Sequence, residues 1–157
     1  MALPTLFRHH FQVAYVVRDL DAASAVFRDQ WGISQWYRIP LPEGAPVRKL
    51  ALAYVQDLMV ELIEPDPSMP SIYQDWIPPT PAAARFHHLG YLIDDAQEFQ
   101  QTIQRLEAAG CKAAMAGRHG DLQDYHYADS VAALGHYTEL IHLLPAGKGF
   151  FDAVPRN

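Results

Sequence analysis

The 157-residue chain reads as an α+β fold made of two tandem βαβββ modules, and three observations predict it. First, residues 12–27 (QVAYVVRDLDAASAVF) return as residues 88–103 (HLGYLIDDAQEFQQTI), 76 positions later. Gln12 then meets His88, Ala14 meets Gly90, Tyr15 meets Tyr91, Asp19 meets Asp95 and Phe27 meets Ile103. Second, Glu61-Leu62-Ile63 returns as Glu139-Leu140-Ile141, 78 positions later. Two matches in one order at nearly one spacing mark a duplication. Third, a proline-rich stretch from Pro65 to Pro81 separates the copies and carries Tyr73, Trp76 and Ile77. The modules are therefore expected over 1–80 and 81–157, sharing one structural domain of ordinary size.

Each copy runs through the same elements. Residues 10–17 are apolar and β-branched, which predicts a strand. Asp19 is placed to cap a helix whose apolar face is Leu20, Ala23 and Phe27, and Trp31-Gly32 ends it. Strands follow near 34–40, 47–56 and 58–64, with turns at Pro40–Pro46 and Gln56-Asp57. In the second copy a strand covers 86–93. Asp95 and Glu98 have capping-box spacing. The helix face is Phe99, Ile103 and Leu106, and Gly110 closes it. Strands are expected near 112–116, 123–129 and 132–144. In the tail, Phe150, Phe151 and Val154 are expected to dock on the body.

Composition excludes several classes. Half of the residues are hydrophobic and 19% charged, so the chain is not disordered. Twelve basic against 18 acidic residues give a net charge of −6 with no dense Lys/Arg run, which argues against a nucleic-acid surface. A lone cysteine, Cys111, can form neither an internal disulfide nor a CxxC zinc pair. The N-terminal MALPTLFRHHFQ lacks a signal-type apolar core, and no apolar run approaches the ~18 residues of a membrane span. A soluble, cytoplasmic protein acting on a small molecule is expected, with no nucleic-acid or membrane partner.

The repeat singles out four polar residues inside apolar strands: Gln12 with His88, and Glu61 with Glu139. In duplicated folds such pairs face each other across a pseudo-twofold axis. A carboxylate flanked by Val60 and Leu62 is costly to bury alone. Two at matched positions ask for a shared cation, and an imidazole, an amide oxygen and two carboxylates form a mixed N/O ligand set. Strand alternation turns Glu64, His9, His87, His136 and His142 to the other face. His10 keeps the right parity and stands as the alternative to Gln12.

On Gln12–Leu20 (QVAYVVRDL), Val60–Pro65 (VELIEP), His87–Asp94 (HHLGYLID) and Tyr137–Ile141 (YTELI), the sequence resembles the vicinal oxygen chelate superfamily. That superfamily includes glyoxalase I, methylmalonyl-CoA epimerase, extradiol dioxygenases and bleomycin- or fosfomycin-resistance proteins. The resemblance extends to about residue 144 and implies a glyoxalase-like mixed-sheet half-barrel. It places metal ligands on Gln12, Glu61, His88 and Glu139. Many members have His where this chain has Gln12. Extradiol dioxygenases use two His and one Glu, and fosfomycin-type transferases also need two His, so neither pattern is met. The Gln/Glu/His/Glu set is most similar to eukaryotic-type glyoxalase I and close to the epimerases. A divalent ion (Zn, Ni, Co, Mn or Mg) and a homodimer are implied.

Such a site suits removal of a proton α to a carbonyl through a metal-stabilised enediolate, the chemistry of a glyoxalase-like lyase, isomerase or epimerase. Glu61 and Glu139 are the catalytic carboxylates, and the resemblance favours Glu139 as base. Residues two before each ligand, His10, Met59, Phe86 and Tyr137, are expected to wall the substrate pocket, with Trp76 as a further contact. Residues two after, Ala14, Ile63, Gly90 and Ile141, are expected to pack below. The alternative reading is a metal-free module that sequesters an apolar small molecule on Trp36, Tyr37, Trp76 and Tyr137. Trp31 is expected in the core.

Overall fold

Alternating apolar residues make β1 (His10–Val17). The Asp19 carboxylate accepts from the Asp21 and Ala22 amides and starts α1 (Leu20–Trp31). Gly32, at φ 76°, takes the left-handed cap that stops it. Then come β2 (Tyr37–Arg38), β3 (Val47–Val55) and β4 (Leu58–Pro65). The second copy gives β5 (Ala84–Leu92), α2 (Ala96–Ala108), β6 (Ala113–His119), β7 (Gln123–Ala128), α3 (Val131–Leu134) and β8 (Tyr137–Leu143). This computed structural model describes residues 5–157, so the first four residues of the first expected module lie outside the described residues.

The chain forms two compact units. One is residues 12–87 with 152–157; the other is residues 5–11 with 88–151. In the first, the strand order is β2-β3-β4-β1, with β1 parallel to β4 and the other pairs antiparallel. Leu20, Ala23 and Phe27 of α1 pack on Ala51, Ala53, Val60 and Leu62. Full burial of a Leu or Phe contributes about 1.5–3 kcal/mol. Gln12, Met59 and Glu61 lie on the opposite sheet face. In the second unit the order is β5-β8-β7-β6, with β5 parallel to β8. Phe99 of α2 packs with Tyr91, Ile93 and Leu140, joined by Leu6, Ile103 and Leu106.

The ladders carry the duplication into three dimensions. In the first unit Gln12 pairs with Met59, Ala14 with Glu61 and Val16 with Ile63. In the second, His88 pairs with Tyr137, Gly90 with Glu139 and Leu92 with Ile141. Repeat-matched residues hold the same register, and each glutamate neighbours a small residue.

Four local expectations are corrected. The strand expected over 34–40 shrinks to Tyr37–Arg38, because the Asn157 side chain takes the Ser34 and Gln35 amides that a ladder would have used. The last strand begins at Tyr137 rather than 132, since Val131–Leu134 closes into a helical turn ended by Gly135 at φ 80°. Asp95 caps α2 through the Glu98 amide, but the Glu98 carboxylate pairs with Arg8 and His9 instead of completing the box. Trp31 is 63% exposed; the chain turns at Gly32, and Ile33 takes the buried place.

Candidate functional site

Glu139 sits on β8 and His88 on β5, on the sheet face away from α2. The His88 Nε2 and a Glu139 carboxylate oxygen are 3.1 Å apart. His88 is 0% and Glu139 5% exposed. Gly90 neighbours Glu139 in the ladder. Tyr127 lies directly across from Glu139 on β7, and its ring stands edge-on to His88 at 5.1 Å. This brings together the two site residues expected from the second copy.

In the other unit, Glu61 on β4 is 8% exposed, between Ala14 of β1 and Leu52 of β3 in the ladder. Gln12, also buried, donates from its amide nitrogen to the Met59 sulfur at 3.3 Å. That fixes Met59 as a fully buried neighbour of Gln12. The amide oxygen is the end of Gln12 that could serve a cation. Glu64, whose parity turned it away, accepts from the Leu20 amide at 2.8 Å on the helix side.

The remaining residues expected in the site are placed as follows. His10 is exposed, and its ring lies 5.7 Å from Tyr91. The half-buried Phe86 ring lies 6.1 Å from Tyr15, which packs on Phe27 of α1. Tyr137 is half-buried and pairs with His88 in the ladder. Trp76 stands edge-on to His87, with the Arg85 guanidinium 4.7 Å above its ring. His87, excluded by parity, is fully buried, with Nε2 3.2 Å from the Ile72 carbonyl.

One cluster escaped the sequence reading. Tyr125 and His119 lie on the same sheet face as Glu139 and Tyr127, through the pairing of Tyr125 with Ile141 and of His119 with Gln123. Their rings stack at 4.4 Å with 22° between planes. Covering of the imidazole face lowers the His119 pKa, and the Glu139 carboxylate opposes that shift. Period-two alternation along β7 would have found Tyr125 and Tyr127 had the start of β8 been placed correctly.

The donor chemistry fits a divalent ion. Buried carboxylates and a buried imidazole are the oxygen and nitrogen ligands that zinc, nickel, cobalt or manganese accept, and each lies on a strand. Among the described residues no helix is long and apolar enough to cross a membrane.

Comparison with known proteins gives a family and a fold. The model described as Glyoxalase/Bleomycin resistance protein/Dioxygenase superfamily matches residues 11–128. A crystal structure of methylmalonyl-CoA epimerase from Mycobacterium tuberculosis is similar at a TM-score of 0.68 and 20% identity, covering 93% of this chain and 95% of that one. A methylmalonyl-CoA epimerase in complex with methylmalonyl-CoA and NH4+ is similar at 0.62 and 17% identity, over 85% and 93% of the two chains. A variant of the Streptomyces coelicolor methylmalonyl-CoA epimerase in complex with 2-nitronate-propionyl-CoA gives 0.62 and 18%, again over 85% and 93%. These likenesses show the mixed-sheet α+β fold expected from the sequence. No curated protein matches the chain by sequence.

Proposed function

The chain belongs to the Glyoxalase/Bleomycin resistance protein/Dioxygenase superfamily, and from that premise we propose that it is a metal-dependent enzyme that removes and returns a proton α to a carbonyl. Glu61, His88 and Glu139 are the proposed metal ligands, with Gln12 completing the set through its amide oxygen. The observation that carries the reading is the duplicated register. Each copy holds a buried glutamate at one ladder position of its last strand, beside a small residue, and His88 stands 3.1 Å from the second of them.

The bound cation supplies Lewis-acid stabilisation of the negative charge that develops on the substrate oxygens. The chain's own residues do the rest. Glu139 takes the α-proton on a carboxylate oxygen and can give the same proton back; delivery by Glu61 instead requires that Glu61 first take a proton from solvent, with Glu139 then releasing its own to solvent. Proton return at the same carbon gives epimerisation, and at the neighbouring carbon isomerisation or the glyoxalase outcome. His88 and Gln12 carry no proton in this scheme; they orient the site.

Acyl-CoA thioesters with an acidic α-proton are the first substrates to test, since the similar structures include epimerases of that class. The experiment incubates cobalt- or manganese-loaded protein with methylmalonyl-CoA in D2O and follows the α-proton by NMR. The hemithioacetal of methylglyoxal and glutathione runs in parallel. Metal uptake with deuterium at the α-carbon supports the reading. Protein that takes up no divalent ion, yet binds apolar ligands, would replace it with the sequestration module.

A further inference from the structure

β7 and β6 form one wall of the sheet face that carries Glu139, and that wall has an unusual build. Gly117 pairs with Tyr125 across the β6–β7 ladder. A Cβ on Gly117 would fall 2.7 Å from the Tyr125 hydroxyl oxygen and 3.0 Å from the ring carbon that bears it. Gly117 thus leaves open the space that the hydroxyl end of the phenol occupies. His119, two residues on, stacks on the same ring at 4.4 Å. Tyr125 in turn stands 6.3 Å from Tyr127, which meets His88 edge-on. The phenol lies between the Gly117 backbone of β6 and the His119 imidazole. The contacts that hold it are ring contacts, which leave its hydroxyl and the imidazole edge to act as donors.

We propose that Tyr125 and His119 form a specificity pair that donates hydrogen bonds to an anionic oxygen on the acyl part of the substrate, beside Glu139. Three points carry it. The pair lies on the same face as Glu139, one ladder step along β7 from the Tyr127–Glu139 pairing. Its donors are a phenol O–H and an imidazole N–H. Gly117 leaves open the space beside the hydroxyl end of this ring. A donor pair of that kind selects an oxygen-rich acyl group over an alkyl one, because an unmet donor costs binding when the ligand lacks the oxygen. Gly117 is a positioning residue here and touches no ligand.

The inference rests on the proposed metal site, and its test separates the two. Malonate, a small dicarboxylate, is titrated by calorimetry into manganese-loaded wild type, Tyr125→Phe, His119→Gln and Gly117→Ala, with manganese content measured on each. The Phe variant keeps the ring and loses only the hydroxyl, and the His119 side chain is exposed, so circular dichroism is expected to match wild type. Malonate affinity is expected to fall about tenfold in each single variant at unchanged manganese content. Full manganese with wild-type malonate affinity in Tyr125→Phe and His119→Gln overturns the pair and leaves the metal site standing. Loss of manganese together with malonate also overturns it, since the pair would then be supporting the site and not contacting the ligand. A wild type that takes up no manganese removes the proposed function and this inference with it.

Discussion

The Nε2 of His88 lies 3.1 Å from a carboxylate oxygen of Glu139, and both side chains are buried on one strand face. A buried carboxylate left without a partner is costly, so a side chain at position 139 does not carry that charge without return. Glu139→Gln keeps the volume and removes the anion. It is expected to leave the thermal midpoint close to wild type, to lower divalent-metal affinity at least tenfold (roughly the loss seen for lesser changes around metal sites) and to abolish α-proton exchange. Elemental analysis of protein purified without chelators, paired with the exchange assay, checks both. Full metal content in the variant removes Glu139 from the ligand set.

Tyr137 pairs with His88 across β5 and β8 and is half-buried. Replacing it by Phe removes a hydroxyl and no packing. Turnover is expected to fall by about tenfold or more, the scale of one lost hydrogen bond to developing charge, while the melting temperature stays within about 2 °C. Unchanged kinetics toward an identified substrate would take the hydroxyl out of the reaction.

Phe99 anchors α2 on Tyr91, Ile93 and Leu140 and is 3% exposed. Phe99→Ala is expected to cost about 3–5 kcal/mol, transfer and cavity together. Urea unfolding checks it: the midpoint should drop with the slope unchanged.

Asn157 accepts from the Ser34 and Gln35 amides and donates to the Gln35 carbonyl. Asn157→Ala hands those exposed amides to water and is expected to cost about 0.5–1 kcal/mol. Amide exchange at Ser34 and Gln35 should accelerate well before that of β3.

The Arg118 guanidinium grips the Asp124 carboxylate through two nitrogens and holds its pKa below the ordinary carboxylate value. A carboxyl lowered in the folded state adds stability above its unfolded pKa and loses it as pH falls through the folded value. Arg118 is more than half exposed, so solvent screening keeps the gain under about 1 kcal/mol. Asp124→Asn is expected to destabilise mildly at neutral pH and not at all at strongly acidic pH, read from melting curves across that range.

Much of this was legible in the chain. The repeat located Glu61 and Glu139 because an apolar strand tolerates few carboxylates, and parity separated Glu61 from Glu64, which turns to the Leu20 amide. Helix starts followed from Asp19 and Asp95, whose side chains cap as local chemistry requires. What failed was set by partners distant in sequence. Nothing near Ser34 announces that Asn157 will take its amide. Glu98 had a capping partner in reach, yet Arg8 and His9 claimed its carboxylate. The short turn of α3 hid the register between β7 and β8, and with it Tyr125 and His119.

The ends of the chain belong to the copies they do not encode. Leu6 packs with the core around Phe99, and Arg8 pairs with Glu98, so the leading segment serves the second copy. Asn157 and Pro155 bind the loop and strand around Ser34 and Tyr54, so the trailing segment serves the first. A single scission near residue 80 would therefore release two fragments that each lack their own fastening and carry the other's.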